Sequence, residues 1–273
     1  EEEGPRHSGS NNGVINRRAG IADEGRETGQ EGGGLAGGQA AIVSPAAGKV
    51  LKRNAVVTLG LSRSSLGSST APTSYAGLYA HLAEQFAAAK EGSPLAAAKA
   101  GEVPVMMSAV TRTEVTRALD FAVAHGLKGA LLGAPEADDL VAEIKASGLG
   151  VVFESKAAPA SSKDVVKSAL ALAKAEVPFA FTSDAASQGP LGMRMQAAAC
   201  MRAGLDAGAA LRAMTGDAAR IAGVGETHGT IGPGRAADLV VWSGPPTDLT
   251  SRVHSVYAGG KLVHSAHAHG AHQ

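Results

Sequence analysis

Three oxygen-bearing side chains stand at or just after apolar, strand-like runs. They are Ser108 in Val105-Met-Met-Ser-Ala109, Glu154 after Gly150-Val-Val-Phe153, and Asp184 in Phe181-Thr-Ser-Asp184. Two carboxylates and a hydroxyl could hold a hard cation, but only loosely, because such ions take about six to eight oxygens. Asp184 could equally cap the following helix or sit in a loop. Histidine is concentrated in the tail at His264, His267, His269 and His272. That segment could chelate a divalent metal if it folded around one. Ordering it costs conformational entropy, so it reads first as a solvated terminus. It could also complete a site in a neighbouring chain.

The remaining reactive residues read as structural. Upstream of Asp184 the histidines are His7, His81 and His125. His7 falls in a glycine-rich leader and His81 on an expected helix. His125 ends a helix, where an imidazole complements the dipole. Cys200 follows Ala197-Ala-Ala199 on an expected helix and reads as buried rather than nucleophilic. As the single cysteine it permits neither an intrachain disulfide nor a cysteine-based zinc site. Gly32–Gly38 leads into a strand without the Lys-Ser/Thr of a phosphate loop, which makes it a tight turn. No Gly-x-Ser-x-Gly elbow occurs, so a serine hydrolase has no support.

These residues need a frame, and 273 residues can bury one large core with a small appendage. Aromatic residues make up 3% of the chain, so that core rests on alanine, glycine and aliphatic side chains. Lys plus Arg and Asp plus Glu balance at 25 each, which favours neither nucleic acid nor a membrane surface as partner. No apolar run reaches the roughly 18–20 residues of a membrane span. The sequence opens at Glu1-Glu-Glu3, as a processed form or a segment of a longer protein would.

Residues 1–38 are polar and glycine-rich, and predict a leader that is loop, partly disordered, or ordered only by contacts. Strands are expected at Ala40–Val43 and Ala55–Gly60, and a helix over Tyr75–Lys90. From Pro104 the pattern is regular. Strands at Val105–Ser108, Gly129–Leu132, Gly150–Phe153 and Pro178–Thr182 alternate with helices near Glu114–Ala124, Glu136–Ala146, Asp164–Ala175 and Gly192–Ala203. Thr113 and Pro135 mark helix starts, and Gly126, Gly148 and Gly204 mark stops. Such alternation predicts βαβ units and a parallel sheet over 39–223. Residues 224–264 predict a small antiparallel module from Asp238–Trp242, Val253–Tyr257 and Lys261–Val263, and 265–273 a histidine-bearing tail.

Thr182-Ser-Asp184, Ala203-Gly-Leu205, Ala210–Thr215, Ala218-Ala-Arg220 and Thr230-Ile-Gly-Pro-Gly-Arg-Ala-Ala-Asp-Leu239 follow one another over about 90 residues. Together they resemble the C-terminal third of metal-dependent amidohydrolases, and in particular the imidazolonepropionase-like branch. Gly33–Val43 resembles that branch's Gly-Gly-Gln block. Pro104-Val105 and Glu136-Ala137 are similar to segments of its fifth and sixth barrel strands.

The resemblance implies a (β/α) TIM-type barrel, incomplete at its N-terminal end, with a small β-sandwich-like module built from the C-terminal segment. It implies hydrolysis of C–N bonds, often in cyclic amides, by metal-activated water, with Asp184 where the family's general base and metal ligand stands. The family's His-x-His pair has no counterpart before Asp184, and its two further histidines align at Ser108 and Leu132. Serine is a poor zinc ligand and leucine none, and a catalytic zinc takes about three protein ligands. Three readings follow. One is a degenerate, non-catalytic subunit that partners a homologous catalytic amidohydrolase or oligomerises, covering the edges of an open barrel. Another is an active hydrolase whose zinc site is completed in trans or by an N-terminal segment. The third is a binding module that reuses the old pocket, lined by Ser108, Leu132 and Glu154. The leader resembles an exported variety of the family.

Overall fold

The structure, a computed structural model, describes residues 20–23, 36–44, 49–68, 71–154, 163–182 and 191–266. Its larger sheet has seven strands in sequence order. They are β1 (Gly20–Asp23), β2 (Ala36–Ser44), β3 (Lys49–Gly60), β4 (Val105–Ala109), β5 (Gly129–Gly133), β6 (Gly150–Phe153) and β7 (Phe179–Phe181). β3 to β7 run parallel, whereas β1 and β2 join as an antiparallel extension. Among the described residues β7 and β1 do not pair, so this is a TIM-type barrel left open. Of the residues read as leader, Gly20–Asp23 is a strand held by β2, and Ala36 already lies in β2. The rest of 1–35 lies outside the described residues.

Helices follow the parallel strands. They are α1 (Tyr75–Ala87), α2 (Pro94–Lys99), α3 (Arg112–His125), α4 (Val141–Ser147), α5 (Lys163–Lys174), α6 (Gly192–Arg202), α7 (Ala207–Met214) and α8 (Gly216–Ile221). A 3-10 turn, Ala137–Leu140, precedes α4 in the region expected as one helix. α3 starts two residues before the position expected from Thr113. Its cap is Thr111, whose hydroxyl accepts from the Glu114 N–H in a reciprocal capping box. Gly126 and Gly148 end α3 and α4 in the left-handed conformation as expected. Ala203, rather than Gly204, caps α6.

Strand alternation sorts side chains onto two faces. Val57, Leu59, Val105, Met107, Leu131, Val151, Phe153, Phe179 and Phe181 meet the helices in one cluster. Phe153, Phe179 and Phe181 pack ring to ring, with centroids 5.6–6.1 Å apart. The opposite face carries Val56, Met106, Ala130, Val152 and Ala180. There Ile221 of α8 and Ala222, the residue that caps it, complete the cluster. A Cβ on Gly150, the first residue of β6, would lie 2.9 Å from Ile221 Cδ1. α8 therefore packs on the inner face near the start of β6. The outermost strand is not bare, because all three β7 residues are buried and α6, α7 and α8 pack beside them.

The smaller sheet has the order β10-β9-β8, from β8 (Leu239–Trp242), β9 (Val253–Ala258) and β10 (Lys261–Ser265). Arg194 of α6 clamps it to the barrel. Its guanidinium lies 4.6 Å from the Trp242 ring and donates to the Pro246, Asp248 and Ser251 carbonyls. Asp238 Oδ1 accepts the Gly259 N–H at 2.7 Å and so closes the Gly259-Gly260 turn between β9 and β10. Arg235 donates to the Gly225 carbonyl, which fixes the loop entering the sheet.

Candidate active site at the strand ends

Sheet register sets which residues share the mouth. Gly60, Ser108, Leu132, Val152 and Ala180 stand side by side across β3 to β7. Ser108 has the parity of Met106, and Leu132 that of Ala130, so both belong to the inner face. Both are half-buried. Of the sequence-derived site residues the register thus brings Ser108 and Leu132 together. Glu154 follows β6, half-buried, two residues beyond Val152 and outside this row. Asp184 and the other residues of 183–190 lie outside the described residues, as do His7, His267, His269 and His272.

The Ser108 hydroxyl is engaged with the neighbouring strand. Its Oγ accepts the Leu61 N–H at 3.2 Å, lies 3.5 Å from the Leu59 carbonyl, and lies 3.5 Å from Ser62 Oγ. Ser62 Oγ in turn lies 2.8 Å from Ser64 Oγ. Leu132 packs against the inner apolar cluster. On the next strand end, Thr182 donates its hydroxyl to the Phe153 carbonyl at 3.1 Å. The buried Gln196 of α6 donates to the Thr182 carbonyl at 3.0 Å.

This donor set does not fit zinc. A zinc site needs several nitrogen, sulfur or carboxylate ligands converging tetrahedrally. The row offers one neutral hydroxyl, already hydrogen-bonded, and one isobutyl group. Among the described residues no three His, Cys, Asp or Glu side chains come together. His81 is exposed on α1, with Nε2 3.0 Å from Gln85 Nε2. His125 ends α3 with its ring 4.3 Å from Phe121 and 5.4 Å from Phe86. Burial, and then Lys99, push its imidazole below the ordinary histidine value. His264 lies in β10. Cys200 is fully buried, which raises its thiol to about 11 and makes a thiolate nucleophile unavailable at neutral pH.

A polar cluster that the sequence reading passes over stands at the same rim. Glu114, 2% exposed, accepts the Arg63 N–H at 2.7 Å and the Tyr75 hydroxyl at 2.6 Å through Oε1. Oε2 accepts the Val110 and Thr111 N–H groups, each at 2.9 Å. Burial pushes this carboxyl up, but the Tyr75 hydroxyl and the three backbone amides outweigh it and hold it below the usual glutamate value. Burial and the hydrogen bond to Glu114 raise the Tyr75 phenol. The capping-box spacing Thr111-x-x-Glu114 is the sequence signal for half of this arrangement. Beside it a cleft of about 440 Å³ between α1 and α3 is lined by Tyr75, Tyr79, Arg117 and Phe121, with the Arg117 guanidinium 4.8 Å from the Tyr75 ring.

Comparison with known proteins gives the frame its family. A model of the amidohydrolase family matches residues 75–263. The crystal structure of an amidohydrolase from Thermotoga maritima superposes with a TM-score of 0.73 at 21% identity, covering 86% of this chain and 70% of that one. A zinc-bound adenosine deaminase from Xanthomonas campestris gives 0.41 at 20% identity, over 76% of this chain and 60% of that one. Guanine deaminase from E. coli gives 0.43 at 16%, over 74% and 53%. The chain thus spans only part of these solved relatives. A search of curated proteins found no match. The alternating frame, the open parallel sheet and the match across Tyr75–Val263 agree: the chain belongs to the amidohydrolase family.

Proposed function

We propose that this chain is a non-catalytic amidohydrolase subunit that pairs with a homologous, catalytic one. The observation that carries this reading is the adjacency of Ser108 and Leu132 in register at the ends of β4 and β5. Resemblance to the imidazolonepropionase-like branch aligns two metal-ligand histidines there. A hydroxyl tied to Leu61 and an aliphatic side chain supply no replacement. The open barrel adds support, because β1 and β7 do not pair among the described residues and β1 ends the sheet as an edge strand that a partner can cover. The ancestral reaction, metal-dependent hydrolysis of C–N bonds in cyclic amides, then belongs to the partner.

A second reading rests on Asp184, which in the sequence stands where the resemblance puts the family's general base. On that reading the chain is an active hydrolase whose histidines come from another subunit or an N-terminal segment. Affinity purification of the tagged chain from its native source, followed by peptide mass spectrometry, tests the pairing. We expect a stoichiometric amidohydrolase homologue that carries His-x-His and both strand-end histidines. Recovery of this chain alone, or only with copies of itself, contradicts the pairing.

A further inference from the structure

We infer that Glu114 locks the loop after β3 and the loop after β4, which carry the Ser62–Ser64–Ser108 hydroxyl cluster at the barrel mouth, into one cooperative unit. A capping box needs only the contacts within 110–114, and those would hold the start of α3 by themselves. Glu114 does more, because its Oε1 is spent entirely on distant groups. One is the Arg63 N–H, 51 residues away in sequence, and the other is the Tyr75 hydroxyl, 39 residues away. A single carboxylate therefore holds two separate pieces of backbone, the turn at Arg63–Ser65 and the segment Val110-Thr111 entering α3, and the side chain of Tyr75, the first residue of α1.

The hydroxyl cluster is built on the same two loops. Ser62 and Ser64 flank Arg63, and Ser108 lies two residues before Val110. The Ser62–Ser108 separation of 3.5 Å and the Leu61 N–H to Ser108 Oγ bond of 3.2 Å both bridge them. Ser62 and Glu114 are buried, at 6% and 2% exposure, so water does not readily replace these bonds. Opening one loop alone would strand acceptors or donors on the other. The two should therefore open together.

Amide hydrogen exchange on the full chain, resolved at Arg63, Val110 and Thr111, reads this directly. In the wild type the three amides should share one opening equilibrium. Glu114→Gln should accelerate all three, by at least roughly tenfold, while buried β6 amides are unchanged. Thr111→Ala, which removes only the local bond from the Glu114 N–H, should accelerate Arg63 together with Val110 and Thr111, though by less than Glu114→Gln. Faster exchange at Val110 and Thr111 with Arg63 unaffected would reduce Glu114 to a capping residue and overturn the inference. If Glu114→Gln fails to fold, distinct opening equilibria for Arg63 and Val110 in the wild type overturn it equally.

Discussion

Gly129→Ala should cost the protein a large part of its stability. Gly129 opens β5 with φ +139°, and a Cβ there would stand 2.0 Å from the Val105 carbonyl oxygen and 2.6 Å from the Val105 nitrogen. Both atoms are backbone in the adjacent strand, so no side-chain rotation relieves the contact. Relief requires parting β4 from β5, starting with the 2.7 Å bond from the Val105 N–H to the Lys128 carbonyl. That ladder lies across the middle of the parallel sheet. A loss of at least about 4 kcal/mol is expected, a large part of a domain's total of roughly 5–15 kcal/mol. Gly148→Ala is the control, because no atom lies within 4 Å and only the left-handed conformation at the end of α4 resists it. It should cost about 1 kcal/mol. Urea unfolding followed by circular dichroism compares the two, and equal midpoints would contradict this account of β5.

The second large effect is at Glu114. Glu114→Ala removes the acceptor for the Arg63, Val110 and Thr111 amides and for the Tyr75 hydroxyl. Buried donors left without partners cost about 1–3 kcal/mol each, less whatever water recovers, so about 3–5 kcal/mol in total is expected. The pH dependence has a definite sign. Because the hydrogen bonds outweigh burial, the folded-state value of Glu114 lies below its unfolded one. Its contribution is complete above the unfolded value, near about 4.3, and is lost as pH falls through the folded value. Glu114→Gln should therefore be destabilised at neutral pH and should show a shallower decline of stability in acid. An acid limb of unchanged slope would show that the carboxylate is not held in its charged form.

Much of this frame is legible in the sequence because its signals are local. Gly150–Phe153 is a short apolar run between a helix-ending glycine and a carboxylate, and its observed bounds are those expected. Ser108 and Leu132 are legible as strand-end residues because each closes a short apolar run, whereas their pairing in register emerges only in the sheet. The α2 helix escapes such a reading because six residues with one buried position carry no period. Thr113 draws attention over Thr111 because adjacency to a glutamate resembles a cap, whereas the bond pattern requires a spacing of three. Glu114 itself looks like a solvated helical charge. Its Oε1 partners come from 39 and 51 residues upstream, which no window on the sequence contains. The Pro233-Gly-Arg-Ala-Ala-Asp238 segment is readable as a family mark, while its work is not. Asp238 closes the Gly259-Gly260 turn, and Arg235 holds the Gly225 carbonyl.

Metal content is where the composition of the mouth has its sharpest consequence. The register gives the mouth one engaged hydroxyl and one leucine where a zinc hydrolase needs histidines. Inductively coupled plasma mass spectrometry on the purified protein, after incubation with excess zinc and desalting, measures that consequence directly. Well below one equivalent of zinc per molecule is expected, with Asp184→Asn indistinguishable from the wild type. About one equivalent retained by the wild type and lost in Asp184→Asn would contradict it, and would restore this protein as a metal hydrolase in its own right.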